Sequence, residues 1–247
     1  TINNKEAVLK AFEDYKDEVA CIIIEPIPAN NGLLLQDKEY LQFLKDTAKA
    51  NGALLIFDEV ISGFRVGFEG AAGLYNIKPD IVTYGKIVGG GMPVGCYGAS
   101  AEIMSSIAPD GDVYQAGTLS GNPVAMSAGL IMLDEVSQPG FYEQLTDYTS
   151  RLLSGMKERA SAAKVDFHTN QVGGMFGLFF TDQTQVTCFT ETMACDGQKF
   201  SRFFHLMLQH GVYLAPSAFE AGFVSTAHGE KELMHTLDAA ERAFAQL

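Results

Sequence analysis

Positive charge is scarce in this chain. Of its 247 residues, 17 are Lys or Arg against 30 Asp or Glu, a formal net charge of −13 at pH 7. A surface of that sign repels nucleic acid and anionic lipid, so neither is expected as a partner. An anionic ligand would need locally positive groups or backbone N–H donors. Long apolar runs are missing too: none reaches the ~18–20 residues of a membrane span. The opening stretch, TINNKEAVLKAFEDYKDEVA, alternates apolar with charged positions and lacks the layout of a secretory leader. The four cysteines, Cys21, Cys96, Cys188 and Cys195, form no CxxC pair and read as reduced thiols of a cytosolic protein. Cys21 and Cys96 sit in apolar runs and are expected in the core. The five histidines have no metal-ligand spacing, so no metal centre is expected. There are no internal repeats and no low-complexity tracts.

What is present describes a folded α/β chain. Hydrophobic residues make up 47% and charged ones 19%, which suits a globular protein of one large or two modest domains. Residues 5–15 place Ala7, Val8, Ala11, Phe12 and Tyr15 at helical spacing. VACIIIEP (19–26) is a β-branched strand stopped by Pro26. Residues 37–52 predict a helix with Asp37 as N-cap and Gly52 beyond its end, and a strand follows at 54–58. Strand, helix, strand is the βαβ unit of a parallel sheet. Further strands are expected at 80–84 and 94–99, a short helix at 101–106 and a helix at 122–136 entered through Asn122 and Pro123. Gln138-Pro139-Gly140 breaks the pattern. Beyond it the spacing predicts a long helix at 141–163, a strand within 173–182, a helix at 199–211, a strand at 212–216 and a helix at 230–246. The fold class expected is α/β: a mostly parallel sheet flanked by helices over residues 1–140, then a smaller α+β domain over 141–247.

Two strand ends carry candidate chemistry. LLIFDEV (54–60) ends on two acids, and DIVTYGKIVGGGMPVG (80–95) leads through Lys86 into a triple glycine. Strand ends of parallel sheets are where such folds place reactive groups. A lysine in a low-dielectric site loses its proton more easily and becomes a nucleophile towards carbonyls. A carboxylate opposite it could hold a protonated ring nitrogen, as pyridoxal 5′-phosphate (PLP) requires. By residue type alone, a solvated loop lysine and a helix-capping acid pair are the commoner explanations of these positions.

LLIFDEVISGFRVGFEG followed by PDIVTYGKIVGGGMPVGCYG resembles the fold-type I, class III PLP-dependent aminotransferases. YQAGTLSGNPVAMSAGL (114–130) and YLAPSAFEAGFVSTAH (213–228) point the same way, the second towards the glutamate-1-semialdehyde aminomutase branch. The resemblance runs from about Val19 onwards. It implies a partial PLP-transferase large domain followed by its small domain, because nothing here matches the glycine- and serine-rich phosphate turn of that class. The triple glycine follows the lysine and is no P-loop.

The resemblance also implies roles. Lys86 would carry PLP covalently and shuttle protons. Asp58 would face the pyridine nitrogen, Val60 the ring face, and Asn30 the phenolic oxygen. Ala29 stands where relatives often carry Gly. Thr118 would reach the PLP phosphate of a neighbouring subunit, making the active unit a homodimer with shared sites. Glu220 would hold an ammonium of a small amino-aldehyde substrate. The implied reaction is intramolecular amino transfer from glutamate-1-semialdehyde to 5-aminolevulinate. The alternatives are an intermolecular ω-amino aminotransferase, and an incomplete fragment that only dimerises. The 247 residues by themselves are expected to be inactive.

Overall fold

The computed structural model describes residues 2–247. The chain divides into two compact units. One comprises residues 3–26 and 37–139; the other comprises 27–36 and 140–247 together with Ile2. A division of the sequence at 140 assigns 27–36 to the first unit, whereas here that stretch belongs to the second.

The first unit opens with α1 (Lys5–Asp14), capped by Asn4, whose Oδ1 accepts from the Ala7 N–H at 3.0 Å. Its sheet is built from β1 (Cys21–Ile24), β2 (Leu54–Glu59), β3 (Ile81–Tyr84) and β4 (Cys96–Ala99), in that spatial order. The first three strands run parallel and β4 returns antiparallel to β3. Between β1 and β2 lies α2 (Lys38–Ala50), as the βαβ pattern predicts. Its Tyr40, Leu41 and Leu44 pack on Leu55, Phe57 and Ile77, the core of this unit. Each fully buried Leu or Phe there contributes about 1.5–3 kcal/mol. Asp37 stands at the N-cap of α2 without a side-chain cap bond, and Gly52 follows the helix at φ 70. Two short helices, α3 (Gly70–Tyr75) and α4 (Ala101–Met104), and the longer α5 (Pro123–Val136) complete the unit. Asn122 caps α5, accepting from the Ala125 N–H at 3.0 Å.

Cys21 and Cys96 are exposed, not core. Strand alternation explains the first: Cys21 pairs with Leu54, on the face opposite the buried Leu55 and Phe57. Cys96 lies on β4, the last strand of the sheet order.

The second unit holds α6 (Phe141–Ala162), β5 (His168–Val172), β6 (Met175–Phe179), α7 (Phe189–Met193), α8 (Gly197–Gln209), β7 (Gly222–Phe223) and α9 (Glu230–Phe244). Its three strands form an antiparallel sheet in the order β5-β6-β7. β6 is buried along its whole length. Phe180, Phe203 and Phe244 gather with Met156 and Met207 into the largest core, and the Phe203 and Phe244 rings stack at 4.8 Å. Residues 212–216 form no strand, contrary to expectation. Val212 and Leu214 do pack against that core, but the Val212 N–H closes the end of α8 by donating to the Met207 carbonyl at 2.9 Å. The strand that pairs with β6 comes later, at Gly222–Phe223.

Among the described residues no helix is long and apolar enough to cross a membrane, and no cluster of His, Cys, Asp and Glu could hold a metal.

Candidate active site

The C-terminal end of β2 presents two carboxylates to opposite faces, because alternate side chains on a strand point opposite ways. Asp58 pairs with Thr83 on the adjacent strand. Its Oδ1 accepts from the Val60 N–H at 3.1 Å and from the Thr83 hydroxyl at 3.3 Å. Among the described residues its Oδ2 accepts no hydrogen bond. The carboxylate is therefore oriented through one oxygen and open at the other.

Glu59 points the other way and is 0% exposed. Its carboxylate accepts from the Ala71 and Ala72 N–H groups at 2.6 and 2.8 Å and from the Ser62 hydroxyl at 3.0 Å. Burial pushes its pKa above the ordinary value of 4.5, against the opposing pull of those three donors. Gly70 leaves room for this carboxylate: a Cβ there would collide with Glu59 Oε2. The loop after β2 is thus stapled to the start of α3. Strand geometry groups Glu59 with Leu55 and Phe57, and Asp58 with Leu54 and Ile56; both faces are apolar in sequence, so which acid is buried has no local signal.

Lys86 follows β3 through Gly85 and opens a single 3₁₀ turn, Lys86–Gly89. It is exposed, with its backbone in the left-handed region at φ 49. Val60 sits against the backbone just before it, since a Cβ on Gly85 would lie 3.1 Å from Val60 Cγ1. Asp58, Val60 and Lys86 thus share the ends of two adjacent parallel strands. Thr118 lies in the same unit, exposed in the turn that precedes the Asn122 cap of α5. A mainly apolar cavity of about 510 Å³ between that turn, α5 and β4 is lined by residues that include Val94, Cys96, Leu119 and Met126, and by none of the predicted site residues.

Asn30 and Glu220 belong to the second unit. Two main-chain bonds tie their loops together: the Gly32 N–H donates to the Phe219 carbonyl at 2.8 Å, and the Ala221 N–H donates to the Ala29 carbonyl at 3.2 Å. Ala29 and Ala221 are buried, while Asn30 and Glu220 are exposed. Among the described residues the Glu220 carboxylate has no hydrogen-bond or ion-pair partner. This juxtaposition of two sites 190 positions apart in sequence has no local signal.

Comparison with known proteins gives these sites a context. A family model described as aminotransferase class-III matches residues 2–234. An omega-transaminase from Sphaerobacter thermophilus is similar over 98% of this chain and 56% of its own, with 30% identity and a TM-score of 0.90. A transaminase with PLP bound shows 28% identity and a TM-score of 0.85 over 99% of this chain and 56% of its own. A glutamate-1-semialdehyde aminomutase from Pseudomonas aeruginosa PAO1, at 20% identity and a TM-score of 0.86, covers 99% of this chain and 55% of its own, and shares the fold. The chain thus spans about 56% of the length of the solved structures it matches. The match over residues 2–234 makes the chain a member of the class III aminotransferases, a family whose cofactor is pyridoxal 5′-phosphate.

Proposed function

We propose that this chain supplies the lysine half of a PLP-dependent aminomutase that converts glutamate-1-semialdehyde to 5-aminolevulinate. The residues fit the cofactor: an exposed amine at one strand end, a carboxylate with one open oxygen at the next, and an apolar side chain beside them. When bound, PLP supplies an electron sink for bond breaking at the amine-bearing carbon.

Lys86 would hold the cofactor and carry a proton on Nζ between the cofactor carbon and the substrate carbon. Asp58 Oδ2 would accept from the ring nitrogen and keep it protonated. Val60 would cover a ring face, Asn30 would donate to the phenolic oxygen, and Thr118 would donate to the phosphate across a homodimer. Such an enzyme would work in the cytoplasm.

The observation that carries the aminomutase reading is Glu220. Its unpartnered carboxylate stands on a loop pinned to the Asn30 turn, with no arginine beside it in sequence for a substrate carboxylate. An acid there can hold the ammonium of an amino-aldehyde. A second reading, an intermolecular ω-amino aminotransferase, draws on the 30% identity with the Sphaerobacter thermophilus omega-transaminase.

The experiment measures 5-aminolevulinate formed by the full-length protein from glutamate-1-semialdehyde, with no amino acceptor added. Wild type should form product. Glu220→Gln should lose about 10–100-fold in kcat/KM, because a charge-assisted hydrogen bond becomes a neutral one. No product from wild type rules out the aminomutase; equal product from both removes Glu220 from the site.

A further inference from the structure

Lys86 opens its turn in a left-handed backbone conformation, at φ 49. The turn is a single 3₁₀ helix flanked by main-chain bonds from the Val88 N–H to the Gly85 carbonyl at 3.3 Å, the Gly90 N–H to the Ile87 carbonyl at 3.0 Å and the Met92 N–H to the Gly89 carbonyl at 2.9 Å. A left-handed lysine at its first position needs an external support.

Helix α5 provides one. Gly129, buried in the middle of α5, meets the carbonyl of Val88: a Cβ there would stand 2.5 Å from that oxygen. From the other side, Gly90, at φ 56, meets the carbonyl of Ala128, with which its own Cβ would collide. Turn and helix therefore touch backbone to backbone at two points, and each contact depends on a missing side chain. A helix-interior glycine lowers helix stability relative to alanine, so Gly129 is placed against local preference. We propose that Gly129 is a positioning residue for Lys86: through the Val88 carbonyl it sets how far the turn sits from α5, and with it the conformation and reach of the lysine. This rests on the reading of Lys86 as the PLP lysine.

The test uses the full-length protein as wild type, Gly129→Ala, Gly90→Asn and Ser127→Ala. Ser127 is exposed on the same helix, so its variant gains helix propensity without entering the contact. Asn tolerates the left-handed backbone of position 90 but still carries the offending Cβ. Two readouts are taken. In PLP-free protein, limited acylation followed by peptide mass spectrometry gives the reactivity of Lys86 relative to the exposed Lys38. In PLP-loaded protein, borohydride fixation gives the fraction of PLP trapped on the Lys86 peptide.

Gly129→Ala and Gly90→Asn should each change relative Lys86 reactivity several-fold and reduce fixation by about 10-fold or more, as expected for a misplaced reacting group. Ser127→Ala should match wild type. Thermal unfolding should show Gly129→Ala lowering Tm where propensity alone would raise it. Unchanged Lys86 reactivity and fixation in folded Gly129→Ala overturn the proposal. So does failure of both contact variants to fold, which would make the contact a requirement of the fold and not of the lysine. Fixation of PLP on a different lysine in wild type overturns instead the reading on which the proposal rests.

Discussion

At φ 49, Lys86 stores strain at the atom group proposed to do the chemistry. Left-handed backbone costs an L-residue roughly 1–2 kcal/mol, and asparagine tolerates it better than lysine. In PLP-free protein Lys86→Asn should therefore raise stability by about 0.5–1 kcal/mol while abolishing PLP fixation. Equal or lower stability in urea unfolding would show that the lysine is unstrained. Glu59 gives a second expectation at this scale. Its folded pKa lies above the unfolded one, so the folded state binds more protons over that interval. Its contribution to stability is fully present below pH 4.5 and is lost as pH rises through the raised value. The Tm of wild type relative to Glu59→Gln should thus decline as pH rises above 4.5. A difference that grows with pH would reverse the sign. Asp58 and Lys86 were both legible as strand-end residues, since an apolar run ending on a polar residue is a local pattern. Which of Asp58 and Glu59 is buried was not legible, since both strand faces are apolar in sequence and only the packing of α3 distinguishes them.

At the scale of elements, legibility follows the range of the forces involved. Helices α2, α6, α8 and α9 each repeat an apolar stripe over three turns or more, α5 is announced by Asn122 and Pro123, and each was readable with its ends within two residues. The parallel sheet was readable through its βαβ spacing. Residues 212–216 show where that logic stops. Val212 and Leu214 alternate inward as a strand would, but a strand needs a ladder partner, and the second edge of β6 is taken by Gly222–Phe223. Which segment pairs there depends on distant chain, not on local pattern. The same holds for β7 itself, which is only two residues long, and for the short α3 and α7, which lack the length to show a period. The contact of α5 with the lysine turn was half legible. Ala125, Ala128 and Gly129 mark a face built for close approach, but nothing in the sequence names the partner.

At the scale of the whole molecule, the net charge of −13 and pI near 4.7 describe a surface that repels polyanions. Chain connectivity matters more. The main chain leaves the first unit after Pro26, runs through the second as residues 27–36, and returns at Asp37. Within the second unit that passage buries Leu33 and Leu34 completely. Its Leu33 carbonyl accepts from the Asn170 side-chain amide at 3.0 Å, and at Gly32 a Cβ would lie 2.7 Å from the Phe179 ring. Residues 27–36 are thus a plug that β1 and α2 hold by its two ends. A polypeptide of residues 140–247 alone would open a slot beside Phe179 and take from the Asn170 amide one of its two acceptors, leaving the Val186 carbonyl. The loss of two buried leucines is worth about 3–6 kcal/mol, comparable to the whole stability of a small domain. Such a fragment should bind a synthetic peptide of residues 27–36 and gain Tm from it by mass action, as split proteins do on complementation. Full cooperative unfolding of the fragment without the peptide, and no shift on adding it, would show that the plug is dispensable. If the plug is required, the second unit has no complete hydrophobic core until residues 27–36 have joined residues 140–247, and an exchange by recombination at a single crossover near 140 would separate that core from its own plug.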